Sequence, residues 1–288
     1  MSFAISTDTS ANLPTAELQW HGLYLLPFSY IMADVQHQCL DLTAFDADAY
    51  YQALRHTPAT TSMVSMEQYR QLWQPLLAEG QDVLHVGMSS GISGAYQSAV
   101  MAARELREEY PGRRLVVFDT RAASLGEGIQ VLHAATCREA GYSLDETVRE
   151  LTELRGRVRQ VFTVDDLMHL RRGGRVSGVT AAVGTALRIK PILRGDEAGR
   201  IVVSGRVQGR KRSLRALADS FAASGELSGH WPVGIAHAGC REEALELAAL
   251  IRQSAPKGRI MVVDYEPVTG SHVGPGALAL FYVARENA

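Results

Sequence analysis

The first half of the chain alternates short apolar runs with longer stretches whose apolar positions recur at helical spacing. The runs predict strands over residues 3–8, 82–87 and 115–119, and the longer stretches predict helices over residues 95–110 and 125–140. Ser65 with Gln68, and Ser143 with Glu146, have the spacing of capping boxes and predict two more helix starts. This alternation of strand and helix predicts an α/β fold whose parallel sheet is flanked by helices.

The pattern changes near residue 158. The elements expected beyond it are strands over residues 160–164, 191–194, 200–204, 233–237, 260–264 and 278–284, and helices over residues 179–189, 214–223 and 242–254. Hairpins and crossovers are mixed here, so we expect a mixed sheet. The chain is therefore interpreted as two closely packed domains, an N-terminal α/β domain over residues 1–158 and a C-terminal mixed α/β domain over residues 159–288.

Composition narrows the class of protein. The 288 residues are 46% hydrophobic and 21% charged with a net charge of −2, which excludes a disordered, collagen-like or coiled-coil chain. Because there is no basic excess, we expect no nucleic-acid partner. Cys39, Cys137 and Cys240 are widely spaced, so neither a disulfide framework nor a zinc site is expected. The first ten residues lack the pattern of a signal peptide, and we expect a cytoplasmic protein.

A loop rich in serine and glycine gives the most informative motif. Residues 88–94 read Met-Ser-Ser-Gly-Ile-Ser-Gly between a predicted strand and a predicted long helix. Glycines let the backbone approach a ligand closely, and the helix start offers free N–H groups and a partial positive charge. The loop therefore predicts a small anion site to which Ser93 adds a hydroxyl, although a serine there is also an ordinary helix cap.

The same loop matches the G-x-S-x-G pattern of serine hydrolases at residues 87–91. Ser89 or Ser93 would be the nucleophile, with His272 as base and Asp264 as acid. Against this interpretation, several glycine and serine residues separate the strand from the helix, whereas a nucleophile elbow turns directly between them. No oxyanion segment of the HGGG type precedes the loop. The hydrolase remains the alternative function.

Three further segments could contribute to a site. Thr60, Thr61 and Ser62 form a hydroxyl-rich stretch within a predicted polar loop, where such residues usually make turns. His272 lies in a glycine-rich loop over residues 270–276 between two predicted strands. The basic residues at 171–175 and around Arg206 are compatible with a solvated face, a phosphate site or a docking surface.

In this order and at these spacings, the segments resemble the DegV family of bacterial fatty-acid-binding proteins. The resemblance covers essentially the whole chain. Its landmarks are Thr7-Asp8-Thr9, Thr61-Ser62, Ser89-Ser90-Gly91-Ile92-Ser93-Gly94, Asp119-Thr120, Arg172-Gly173-Gly174-Arg175 and His272-Val273-Gly274-Pro275-Gly276-Ala277.

The resemblance implies two α/β domains with a long-chain fatty acid in the cleft between them. It implies a non-catalytic protein that presents the carboxylate to a separate ATP-dependent fatty acid kinase subunit, which forms an acyl phosphate. The residues that match the carboxylate site are Thr61, Ser62, Ser93 and Gly94, with His272 beside it. Those that match a docking surface for the kinase are Arg172, Arg175 and Arg206. No cofactor and no metal are implied; we expect a monomer and leave open transient membrane contact.

This chain departs from the family pattern near the expected carboxylate site. Met63 and Val64 stand where the family usually has Gln-Pro, and Ala95 stands where it often has threonine. The loss of that hydroxyl leaves open the geometry around the carboxylate and the preferred ligand. A binder of another amphipathic anion is a third hypothesis.

Overall fold

The computed structural model describes residues 3–176 and 189–286. The strands are β1 Ala4–Asp8, β2 Tyr24–Leu26, β3 Ser29–Met32, β4 Val35–Gln38, β5 Ala59–Ser62, β6 Val83–Gly87, β7 Leu115–Asp119, β8 Val158–Thr163, β9 Ile189–Gly195, β10 Ile201–Gln208, β11 Val233–His237, β12 Ile260–Asp264 and β13 Leu278–Val283. The helices are α1 Thr15–Trp20, α2 Ala47–Leu54, α3 Met66–Ala78, α4 Ala95–Glu109, α5 Leu125–Glu139, α6 Leu144–Arg155, α7 Met168–Arg172, α8 Arg210–Ser224, α9 Arg241–Ser254 and α10 Pro267–Val273, with a 3₁₀ helix over Thr9–Ala11.

Two sheets of the predicted types organise these elements. The first sheet is wholly parallel, in the order β2-β1-β6-β7, and the second is mixed, in the order β10-β9-β8-β13-β11-β12. The predicted α/β class, with a parallel sheet flanked by helices and a mixed sheet after it, is confirmed. The division into two domains at residue 158 stays a prediction. Residues 179–188 of the expected small-residue helix lie outside the described residues.

The capping boxes predicted from sequence are both present. Ser65 and Gln68 cap α3, and Ser143 and Glu146 cap α6; in each box the serine hydroxyl accepts from the backbone N–H at the third helical position. Local sequence therefore sets where these two helices begin.

Helix α5 is the element that both large sheets share. It packs against β1 and β6 of the first sheet and against β8, β11 and β13 of the second. A side chain at Gly126 would bring a Cβ atom to 3.1 Å from both Gln160 Cγ and Phe281 Cδ1, so glycine permits this close approach. Helices α3 and α4 cover the outer face of the first sheet, and α8 and α9 cover the outer face of the second. The result is alternating layers of helices and sheets.

Two segments differ from the sequence-based expectation. The polar loop expected around Thr61 contains strand β5, which pairs with β3 in a small antiparallel sheet of order β4-β3-β5. The glycine-rich loop expected around His272 contains helix α10. Its N-cap is Glu266, whose carboxylate accepts from Val268 N at 2.7 Å and Thr269 N at 2.5 Å. In both cases tertiary contacts outweigh local propensity.

A buried carboxyl pair lies between β1 and α5. Ser10 Oγ is 2.5 Å from Asp8 Oδ1 and 2.6 Å from Glu127 Oε2, and all three side chains are fully buried. A serine hydroxyl has one proton, so it donates to one carboxyl and the other must carry a proton of its own. Burial raises the pKa of Asp8 to about 6 and raises the pKa of Glu127 well above its usual range. Glu127 is therefore the protonated member of the pair near neutral pH.

We predict that Glu127→Gln makes the protein more stable at alkaline pH. Both carboxyl pKa values are raised in the folded state, so the stability they contribute is complete below about pH 4 and decreases as the pH rises through the folded pKa values. Glutamine imitates the protonated glutamic acid, because its amide can donate to Ser10 Oγ while its carbonyl accepts from Thr7 Oγ1. Urea unfolding should show a gain of about 1–2 kcal/mol above pH 8 and a smaller change near pH 5.

The exposed glutamate of α6, in the variant Glu153→Gln, is the control and should leave the unfolding free energy unchanged at every pH. The account of the carboxyl pair is wrong if the Glu127→Gln variant unfolds with the same pH dependence as the unmodified protein.

Candidate functional site

A cavity of about 470 Å³ lies where the two halves of the chain meet, near the first residues of α5. Its volume falls within the range usual for small-molecule sites. Its apolar lining residues are Phe28, Met63, Met88, Ile92, Ala122, Ala123, Phe162, Leu170, Ile201, Val268, Val273 and Phe281. Its polar lining residues are Thr61, Ser62, Ser93, Ser124, Gln160, Arg175, Tyr265, Thr269 and His272.

Six of the lining residues form what we call the polar mouth: Thr61, Ser62, Ser93, Gly94, Arg175 and His272. The side chain of Thr61, from the first half of the chain, joins that of His272, from the second, with 2.9 Å between Oγ1 and Nε2. Ser62 and Gly94 are exposed, whereas the lining residues Phe162 and Phe281 are buried. Polar groups therefore stand where the cavity opens to the surface.

The position of His272 follows from the packing of α10. Tyr50 and Tyr51 of α2 donate their hydroxyl protons to the carbonyl oxygens of Pro267 and Tyr265. Gly270 makes this packing possible, because a Cβ atom there would lie 2.1 Å from the hydroxyl oxygen of Tyr51. Glu266 caps the helix from a fully buried position, and burial raises its pKa to about 7. The glycine that suggested a loop therefore allows a buried helix.

The serines of the loop before α4 have separate roles. Ser93 Oγ accepts from the N–H of Ala95, the first residue of α4, at 3.2 Å, and Ser93 also lines the cavity. Ser90 Oγ donates to Asp119 and does not line the cavity. Ser89 is fully buried and donates to the carbonyl of Gly199 at 2.9 Å. Only Ser93 of the three combines a place in the cavity with a partly accessible side chain.

The electrostatics of the polar mouth depend on Arg175 and His272. Burial, with a smaller effect from the positive charge of Arg175, lowers the pKa of His272 to about 4, so its ring is neutral near pH 7. Arg175 is half-buried and donates to the carbonyls of Ile92 and Gly173. Among the described residues Arg175 forms no ion pair. An uncompensated guanidinium beside neutral donors suits a carboxylate ligand.

The residues expected to dock a partner fall in two places. Arg172 and Arg206 are exposed, as a docking surface requires. Arg175 lines the cavity and so lies beside the expected carboxylate site. No feature of the sequence distinguishes Arg175 from the neighbouring arginines.

The arrangement required by the serine-hydrolase alternative is not found among the described side-chain contacts. Asp264 Oδ1 lies 3.1 Å from Nδ1 of His237, while His272 contacts Thr61. Ser89 is fully buried and bonded to the backbone. The acid and the base that the sequence suggested thus belong to different pairs.

Of the three residues that depart from the family pattern, two lie in the core and one lines the cavity. Val64 is fully buried and Ala95 almost so, and both belong to the core around α3 and α4. Met63 is 48% exposed and lines the cavity beside Gly94, where a Cβ atom would lie 2.9 Å from its sulfur. Met63 is therefore the departure that directly alters the cavity.

Several lining residues were missed by the sequence interpretation. Ser124, Gln160 and Thr269 lie in segments read as a helix start, a strand and a loop, and no motif marks them. The positive φ of Ser124 and the pairing of Gln160 with residues 121 and 123 become visible only in three dimensions.

In residues 3–176 and 189–286, no group of three or more His, Cys, Asp or Glu side chains could hold a metal ion. No helix within these ranges is long and apolar enough to cross a membrane.

This chain is similar to known proteins over essentially its whole length. A family model described as "Uncharacterised protein, DegV family" matches residues 2–285. A DegV domain-containing protein of Clostridium perfringens is 33% identical over 282 residues, which cover 98% of this chain and 97% of that protein.

Two solved structures share the fold over almost every residue. A DegV family protein from Thermus thermophilus, described as binding fatty acid, has a TM-score of 0.88 and 30% identity and covers 99% of this chain and 100% of its own. DegV from Bacillus subtilis, described as a fatty acid binding protein, has a TM-score of 0.85 and 28% identity with the same coverage. The protein described here is thus a member of the DegV family.

Proposed function

We propose that this protein binds one long-chain fatty acid in the cavity and presents its carboxylate to a separate ATP-dependent fatty acid kinase subunit in the cytoplasm. The observation that carries the proposal is the division of one cavity into an apolar interior and a polar mouth. The fatty-acid-binding descriptions of the Thermus and Bacillus relatives support it.

The apolar interior supplies most of the affinity. A long-chain fatty acid buries about 14 methylene groups, and at roughly 0.8 kcal/mol each the gross gain is near 11 kcal/mol. Each hydrogen bond to the charged carboxylate contributes about 1.5–3 kcal/mol. The polar mouth therefore sets orientation more than it sets total affinity.

The polar mouth keeps the carboxylate ionised and accessible. The guanidinium of Arg175 favours the ionised form, and the hydroxyls of Thr61 and Ser93 can donate to it. Phosphoryl transfer requires an anionic carboxylate oxygen, which attacks the γ-phosphorus of ATP; the products are an acyl phosphate and ADP. Since Ser62 and Gly94 are exposed, a partner can reach the carboxylate while the chain stays buried.

Two exposed arginines lie on elements that contribute to the cavity wall. Arg172 is the last residue of α7, which contributes Leu170 to the cavity wall, and Arg206 lies on β10, which contributes Ile201. Both are exposed, so they are available to acidic groups of a kinase subunit. We assign docking to Arg172 and Arg206, and carboxylate binding to Thr61, Ser62, Ser93, Gly94, His272 and, in place of the docking role expected from sequence, Arg175.

We predict that Ser93→Ala lowers fatty-acid affinity about tenfold, because one hydrogen bond to the carboxylate is lost. Ser90→Ala is the matched control, since Ser90 lies in the same loop, bonds to Asp119 and does not line the cavity. Affinity is measured by displacement of a fluorescent fatty acid, and folding by circular dichroism. Equal affinities of the two variants would contradict a role of Ser93 in carboxylate binding.

Arg175→Gln and Arg172→Gln should separate binding from docking. Arg175→Gln is expected to lower fatty-acid affinity by about 10- to 100-fold, because a charge-assisted contact is lost. Arg172→Gln should leave affinity unchanged and lower the rate at which a fatty acid kinase subunit converts the bound acid to acyl phosphate. Arg104→Gln, at a position where the side chain is 83% exposed on α4, is the control and should change neither quantity.

The proposal fails if the purified protein binds no fatty acid, or if it hydrolyses acyl esters and reacts stoichiometrically with a serine-directed probe. A kinase rate that Arg172→Gln and Arg206→Gln leave unchanged would remove the docking assignment while leaving the binding function intact.

A further inference from the structure

Ser124 has a backbone conformation that serine rarely adopts. Its φ is 52° and its ψ is −144°, close to a region that is essentially restricted to glycine. Residues in such conformations are strained and cluster at ligand sites. A glycine would relieve the strain, so the presence of a side chain at this position calls for a reason.

The hydroxyl of Ser124 serves no visible structural purpose. Ser124 is the N-cap residue of α5, yet its side chain makes no capping hydrogen bond. The residue is 1% exposed, and its Oγ is buried with no hydrogen-bond partner among the described residues. A buried hydroxyl without a partner destabilises a fold. The serine therefore adds two unfavourable features and no compensating contact within the protein.

Ser124 lines the cavity although the residue itself is almost completely buried. Gln160 also lines the cavity, and each end of its amide already makes one hydrogen bond within the protein: Oε1 accepts from Ala123 N at 3.0 Å, and Nε2 donates to Arg121 O at 3.1 Å. Phe162 and Phe281 are buried and form part of the apolar wall of the cavity. Ser124 thus offers a hydrogen-bonding group where an acyl chain, and not its carboxylate, would lie.

The polar mouth suits the carboxylate of the ligand better than the surroundings of Ser124 do. Arg175 is the one positively charged side chain among the described lining residues, and it belongs to the polar mouth with Thr61 and Ser93. A second lining hydroxyl without a partner is Thr269 Oγ1. Thr269 lies within α10, however, and is only partly buried, so it has neither the strain nor the enclosure of Ser124.

We propose that the cavity accepts long-chain fatty acids that carry a hydroxyl group on the chain, and that Ser124 binds this hydroxyl. The inference rests on the proposed function and narrows its substrate class. A ligand hydroxyl can both donate to and accept from Ser124 Oγ, which satisfies the unpartnered group. A plain acyl chain leaves Ser124 unpaired, and a site with an unpaired buried polar group discriminates against a ligand that lacks the matching group.

The test compares stearic acid with a set of monohydroxystearic acids that differ in the position of the hydroxyl. Dissociation constants are measured for the unmodified protein and for Ser124→Ala, Ser124→Gly and Thr269→Val. At least one positional isomer should bind the unmodified protein more tightly than stearic acid. Ser124→Ala should weaken the binding of that isomer about tenfold and leave stearic acid unchanged.

Ser124→Gly should also lose the preference for the hydroxylated isomer, because it removes the same hydroxyl. It should raise the thermal unfolding midpoint, because glycine adopts this backbone conformation without strain. It also keeps the proposal testable if the alanine variant folds poorly. Thr269→Val is the matched removal of the other unpaired hydroxyl and should keep the preference.

Three results would overturn the proposal. In the first, the unmodified protein binds no hydroxylated isomer more tightly than stearic acid. In the second, Ser124→Ala lowers the affinity for stearic and hydroxystearic acids equally, and in the third, the preference for the hydroxylated isomer disappears in Thr269→Val but not in Ser124→Ala. Failure to bind stearic acid and every isomer would instead reject the proposed function itself.

Discussion

The burial of α5 between two sheets is the constraint on which the site depends. A helix that packs on β1 and β6 on one side and on β8, β11 and β13 on another keeps the two sheets apart along its length. Ahead of its first residue, Leu125, the helix no longer fills that space, and the cavity occupies it. Gly126 lets two residues of the cavity lining, Gln160 and Phe281, approach the helix closely. The packing of the core and the formation of the site therefore follow from the same arrangement.

The two kinds of lining separate affinity from orientation. Phenylalanine, leucine, isoleucine and valine side chains from both halves make an interior in which burial of methylene groups dominates the free energy. Thr61 and His272 join the halves at the mouth by a single hydrogen bond between uncharged groups. Because His272 is neutral, the positive charge there comes from Arg175, and an anion in the polar mouth experiences one cation rather than two. Such a site can hold a carboxylate firmly enough to orient it and still leave it reactive.

Local patterns predicted the frame of the fold because those elements are set by their own residues. The strand at residues 115–119 and the helix starts at Ser65 and Ser143 follow from apolar runs and capping boxes. The sequence-based predictions were wrong where residues distant in the chain determine the secondary structure. Polar β5 forms through pairing with β3, and α10 forms despite Gly270 because Tyr51 packs against that glycine. The same applies within the site: hydroxyl and histidine positions were visible as motifs, whereas the places of Arg175 and Ser124 in the cavity lining required the packing.

The most direct test of the central claim is a crystal structure of the protein with palmitate. The account predicts that both carboxylate oxygens lie within hydrogen-bond distance of side chains in the polar mouth, including Ser93 and Arg175, and that the acyl chain runs inward between Phe162 and Phe281. A carboxylate that lies beside Gln160 with the acyl chain at the mouth, or a palmitate bound outside the cavity, would contradict it.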